Sequence, residues 1–395
     1  MRNAHRRLAV PLILVAALAL TLSARQLSVA ADDSHILTVD HYVPHTSTMP
    51  AIAGEEVVLY VRERVLAGVA KTAKSTAATG KVVLFVHGAT FPSTPGFDVS
   101  YKDYSWMTYL AQAGFDVFAV DLTGYGRATR PWIMDDPCNL PPDQQAFLGI
   151  SPPCDPTYPY MVLNTNQSEW DEVDRVVDYL RALRGVDRIS VIGWSGGGPR
   201  LGGYAALHPA KVDTLILYAP YYNRSEPPPP DDPFVPGYPM RVAPAFAFLG
   251  AWDSQVRCES QFDPEIRDVV WAMNMADDPL GATWGPGVIR AVNFLPRWGW
   301  NASLAAQIDA PTLILVGEFD DLRALAGHLY ADLGAARKVL TTFACSSHFI
   351  VYEWAHTIMF KLSRDWLLHQ SIKGMSQGFL YVDAEGRVEA MSPLP

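Results

Sequence analysis

The sequence predicts an α/β fold, a mostly parallel sheet flanked by helices with a lid set into it, and three observations carry that expectation. Short β-branched runs alternate with helical patterns over short loops, as in residues 82–86, 104–113 and 116–120, which is the signature of β-α-β units. The run Ile189-Ser-Val-Ile192 leads straight into Gly193-Trp-Ser195-Gly-Gly197 and a helix. An acid and a histidine, Asp320 and His348, then follow later strand-like runs.

The glycines explain why Ser195 is the residue on which chemistry is placed. A serine at the tip of a strand-to-helix turn adopts a strained backbone, and only residues without a β-carbon fit where strand and helix pass closest to it. The competing reading is a phosphate-binding glycine loop. The chain has neither Gly-x-Gly-x-x-Gly in the dinucleotide register nor Gly-Lys-Ser/Thr.

At the start, Arg2, Arg6 and Arg7 precede an apolar run over residues 8–22 and the small residues Ser28-Val-Ala-Ala31. Residues 1–31 read as a secretory signal peptide, with twin-arginine export left open by Arg6-Arg7. The run is too short to span a bilayer and contains Pro11, so no stable membrane anchor is expected and the mature protein is periplasmic or secreted. With 41 acidic and 31 basic residues and a net charge of −10, nothing recruits nucleic acid. Cys138 and Cys154 share a Pro-rich segment and are the expected disulfide. Cys258 and Cys345 then either pair, tying the lid to the catalytic face, or remain two buried thiols.

Residues 36–42 and 57–64 read as the first, antiparallel strands, and the histidines among them (His35, His41, His45) match no zinc spacing. Strand 82–86 ends in His87-Gly88-Ala89-Thr90. Acyl transfer needs two backbone N–H groups aimed at the developing oxyanion, and Ala89 and Gly196 are the candidates for that oxyanion hole. His87 is read as a loop brace, Asp121 as a turn stabiliser and Arg127 as a surface group. Residues 131–166 form a Pro-rich insertion expected to fold over the mouth of the site. A helix starting at Ser168-Glu-Trp-Asp171 and ended by Gly185 delivers the chain to Ser195.

The core thus covers residues 32–220 and 311–370, with a lid over 221–310 and a C-terminal extension over 371–395 that contains a possible hairpin. The lid holds Trp252, Trp271, Trp284, Trp298 and Trp300, which give it an apolar underside or simply pack it onto the core. Strand 312–316 ends in Gly317-Glu-Phe-Asp320-Asp321, where an acid orients an imidazole. Asp320 is the choice, with Asp321 and Glu318 as neighbours. The loop 343–348 carries His348 into a long helix over 349–369.

Together, His87-Gly88-Ala89, Asp121-Leu-Thr-Gly-Tyr-Gly126, Gly193-Trp-Ser195-Gly-Gly197, Gly317-Glu-Phe-Asp320 and Ser347-His348 resemble an α/β-hydrolase fold enzyme over about residues 55 to 370. The chain is similar to the lidded esterase, lipase and prolyl-aminopeptidase-like branch. That resemblance implies an eight-stranded sheet and a catalytic triad of Ser195, Asp320 and His348 that uses neither a cofactor nor a metal. A serine at the nucleophile position argues against haloalkane dehalogenases and epoxide hydrolases, which carry Asp there. The function expected first is a carboxylesterase acting on a small hydrophobic ester. The second is an aminopeptidase or amidase, whose α-amine anchor falls to Asp253, Glu259 or Asp263. The third is an inactive binding protein on the hydrolase scaffold.

Overall fold

The computed structural model describes residues 34–72, 81–151, 154–225, 236–293 and 300–391. The proposed signal peptide and Trp298 lie outside them. Ten strands form one sheet in the order β1-β2-β4-β3-β5-β6-β9-β10-β11-β12, and β7 and β8 pair separately. Strands β1 (Ile36–Thr46) and β2 (Glu56–Leu66) run antiparallel to each other, and β2 runs antiparallel to β4 (Asp116–Asp121). From β4 through β3 (Val82–Val86), β5 (Ile189–Trp194), β6 (Val212–Tyr218), β9 (Thr312–Gly317) and β10 (Lys338–Phe343) every pairing is parallel.

Strands covered on both faces read as unbroken apolar runs, and Val82 to Val86 are all buried. Val82, Leu84 and Val86 belong to one hydrophobic cluster with the helices Asn166–Arg184 and Gly197–Leu207. Val83 and Phe85 belong to the other, with Trp106–Gln112 and His356–His369, as the two-residue period of a strand requires. The neighbours of β3 are β4 on one side and β5 on the other, so successive crossovers leave in opposite directions there. A crevice opens at such a switch point, outside the carboxyl ends of the strands. His87-Gly88-Ala89 and Ser195 stand at those two ends.

The sheet has ten strands, against the eight that the resemblance implies. The tail accounts for the difference: β11 (Gln377–Val382) runs parallel to β10 and turns into the antiparallel β12 (Val388–Met391). The hairpin therefore extends the sheet past its last expected strand. Two other boundaries moved for local reasons. The helix before β5 begins at Asn166 because Thr165 accepts the Ser168 N–H while the Ser168 hydroxyl accepts the Thr165 N–H. The helix expected from residue 349 begins at His356, because a 3-10 turn and the inward-folded Glu353 precede it.

Between β6 and β9 the chain builds β7 (Met240–Pro244), the helices Ala245–Asp253 and Pro264–Asp277, and β8 (Val288–Val292), antiparallel to β7. The insertion after Pro131 braces this cap: the Gln144 side-chain oxygen accepts the Val242 N–H at 2.8 Å, and Asp135 pairs with Arg290 at 2.7 Å. Cys138 and Cys154 are disulfide-bonded, and Cys258 in the cap is bonded to Cys345 rather than free. Among the described residues no helix is long and apolar enough to cross a membrane.

Candidate active site

Ser195 has φ of +55°, the left-handed region that a residue with a β-carbon enters only under constraint. The constraint is visible on both sides. A β-carbon on Gly193 would strike the Gly197 carbonyl, and one on Gly197 would strike the carbonyl of Val86. The Ser195 N–H donates to Tyr218 O at 2.9 Å, while its own carbonyl accepts from Gly198 and Tyr221. The turn is held by neighbours on β3 and β6, and Ser195 lines the cavity beyond it.

His348 lines the same cavity. Its Nδ1 lies 3.1 Å from Oδ1 and 3.2 Å from Oδ2 of Asp320, whose side chain is fully buried. A carboxylate only accepts, so the Nδ1 proton points at Asp320. The His348 backbone is fixed at both ends: its N–H donates to the Gln255 side chain at 2.9 Å, and its carbonyl accepts from the Tyr218 hydroxyl and the Trp194 indole. Asp321 is exposed and accepts from Gln255, and Glu318 accepts from the Cys345 N–H and Tyr381. Asp320 alone of the three acids meets the histidine.

Ala89 lines the cavity beside Ser195; Gly196 does not, though it follows Ser195 directly. The backbone N–H groups of both make no hydrogen bond among the described residues. The loop that carries Ala89 is pinned from beneath by Arg200, fully buried, which donates to the carbonyls of His87 and Gly88 at 2.8 Å and pairs with Glu169 at 2.7 Å. His87 is neutral there. Burial and the Arg200 charge hold its pKa well below the usual value, its Nδ1–H donates to Gly88 O, and its Nε2 accepts the Leu122 N–H. It braces the loop. Asp121 likewise accepts the N–H groups of Ser93 and Arg127, and Arg127, exposed as a surface group, also reaches into the cap to Asp277 at 2.9 Å.

The cavity, about 510 Å³, has apolar walls of Phe91, Trp194, Val242, Ala243, Ala247, Phe248, Ala251, Leu322 and Phe349. The insertion after Pro131 contributes nothing to them, and neither do the cap tryptophans among the described residues. Trp252 is buried and donates to Glu353, Trp300 donates to Tyr221 O, and Trp284 packs under Arg290. Those rings hold the cap to the core and to itself. Nor do Asp253, Glu259 and Asp263 reach the cavity: Asp253 pairs with Arg267, and Asp263 caps a helix beside Lys102.

Residues 83–356 match the family model described as "Alpha/beta hydrolase family". The chain belongs to the alpha/beta hydrolase family. A thermophilic esterase from Thermogutta terrifontis is 18% identical over 83% of this chain and 98% of its own, with a TM-score of 0.51. A serine hydrolase involved in carbazole degradation is 14% identical over 84% and 99%, with a TM-score of 0.49. A serine hydrolase from the polyaromatic-hydrocarbon-degrading bacterium Cycloclasticus zankles is 14% identical over 83% and 98%, with a TM-score of 0.46. At such identities these are likenesses of fold. No curated protein sequence matches the chain.

This alpha/beta hydrolase also carries site residues that its sequence did not announce. Tyr221 lines the cavity with its hydroxyl in hydrogen-bonding reach of Ser195, and burial raises its pKa. Glu353, fully buried, accepts from the Ser347 N–H at 2.7 Å and from Trp252 and Gln261 of the cap at 2.9 Å each. Burial raises its pKa too, against the pull of those hydrogen bonds. Through it the cap grips the loop of His348. Among the described residues, Arg241, on β7, is the one Lys or Arg in the cavity wall.

Proposed function

We propose that this protein is an exported serine hydrolase that cleaves a carboxylic ester of a small, largely apolar molecule through an acyl-enzyme on Ser195. The single observation that carries the reading is the convergence, in one apolar cavity, of a strained serine with a histidine whose Nδ1 is held by a buried aspartate. His348 Nε2 takes the Ser195 proton as the oxygen attacks the ester carbonyl, and the N–H groups of Ala89 and Gly196 receive the oxyanion. The alkoxide leaves with the proton from His348. Water then gives a proton to His348 and its oxygen to the acyl carbon; the proton returns to Ser195, and the acid departs. Two disulfides suit an oxidising compartment and support export.

Ser195→Ala is expected to remain folded and to lose hydrolysis of p-nitrophenyl esters by about 10⁴-fold or more. A serine-directed phosphonate should label Ser195 alone. An alanine variant with near-normal turnover ends this reading, and turnover of aminoacyl p-nitroanilides with no ester hydrolysis transfers it to a peptidase.

A further inference from the structure

Arg241 is a half-buried arginine set in the wall of the active-site cavity. The buried Arg200 and Arg290 each meet a carboxylate, in Glu169 and Asp278. Arg241 has no carboxylate partner among the described residues. Its Nη2 donates to Ala89 O at 2.8 Å and to Thr90 Oγ1 at 2.6 Å, which leaves Nη1 and Nε without an acceptor among the described residues. A guanidinium in a largely apolar wall without a carboxylate partner is electrostatically incomplete, and its Nη1 and Nε hydrogens can each give a charge-assisted hydrogen bond to an anion.

We infer that Arg241 recognises a carboxylate on the acyl part of the substrate, so that the ester hydrolysed is a monoester of a short dicarboxylic acid. The inference rests on the serine-hydrolase reading above and narrows its substrate. The position of the charge fixes which part of the substrate carries the carboxylate. Arg241 hangs from the carbonyl of Ala89 and the hydroxyl of Thr90, in the same loop whose Ala89 N–H faces the reacting carbonyl. An anion bound there is held on the acyl side, a short chain away from Ser195. Arg241, Tyr221 and Ser195 line the same cavity, so the two ends of such an acyl group lie within one small neighbourhood. The apolar walls accommodate the methylenes between them.

The test compares mono-p-nitrophenyl glutarate with p-nitrophenyl butyrate, two esters with the same leaving group and similar acyl length. The wild-type enzyme should favour the glutarate monoester in kcat/KM, mainly through KM, and Arg241→Gln should reduce that preference by about thirtyfold. Arg241→Lys, which keeps the charge but not the guanidinium's set of donors, should keep part of it. Free glutarate should compete with butyrate hydrolysis by the wild type, more weakly at high salt, and glutaramide should not. A wild type that prefers butyrate, or an unchanged ratio in Arg241→Gln, overturns the inference and leaves Arg241 as a brace for the loop. Should neither ester be turned over while glutarate still raises the melting temperature of wild type and of Ser195→Ala but not of Arg241→Gln, the anion site stands and the hydrolase reading fails.

Discussion

The N–H of His348 donates to the side-chain oxygen of Gln255, 93 residues earlier in the chain, at 2.9 Å. The Gln255 amide nitrogen reaches on to Asp321 at 3.2 Å, so the cap occupies that acid while Asp320 faces the imidazole. Asp320→Asn should therefore cost several orders of magnitude in kcat by presenting the wrong tautomer, and Asp321→Asn less than about tenfold. Steady-state kinetics on both variants decide it; a larger loss in Asp321→Asn contradicts the assignment.

Chain-length selectivity should follow the wall of the cavity and not the cap tryptophans. Ala247→Phe fills the cavity from the cap side, so rates should fall for longer p-nitrophenyl esters and change little for acetate, each excluded methylene costing about 0.8 kcal/mol. Trp271 lies outside the cavity against Phe248, at a ring separation of 6.4 Å. Trp271→Ala should lower the melting temperature and leave the chain-length profile in place.

The two disulfides should differ in weight. Cys258 and Cys345 are 87 residues apart, Cys138 and Cys154 only 16, and the longer loop restrains the unfolded chain more. Replacing both members of the first pair by Ala should lower the melting temperature more than replacing the second pair. It should also lower kcat, because Cys345 opens the loop that ends in His348.

Glu172 supplies a pH test. Burial pushes its pKa up to about 7, although the Thr123 N–H donates to it at 3.0 Å. The native state thus holds a proton that the unfolded chain releases near pH 4.5, so this group's contribution favours folding at low pH and declines as pH rises from about 4.5 to 7. Glu172→Gln should raise the melting temperature more at pH 8 than at pH 5. Equal shifts at both pH values would show that the carboxyl titrates normally.

Much of the framework is legible in the sequence because its strands are short apolar runs buried on both faces, and because Gly193 and Gly197 bracket Ser195 wherever the strand-to-helix turn is formed. Asp320 and His348 follow from standing just past strands. Arg241, Tyr221, Gln255 and Glu353 are a different case. Each works through partners brought together by the cap, and no local period marks such contacts. Arg200 follows the serine motif within five residues, yet its purpose depends on Glu169 and on a loop more than a hundred residues away. The strand count failed for the same reason, since a hairpin's own residues do not show which edge it will join.

That hairpin also decides what the molecule offers to its neighbours in solution. Without it, the six residues of β10 would present an open row of amides and carbonyls, a template for another chain. With it, the free edge is the four-residue β12, which carries Glu389 and is preceded by Arg387, and a short charged edge templates poorly. The opposite edge, β1, has Pro44 near its end, where one amide hydrogen is missing. The two ends of the sheet are thereby guarded against edge-to-edge polymerisation by different chemical means.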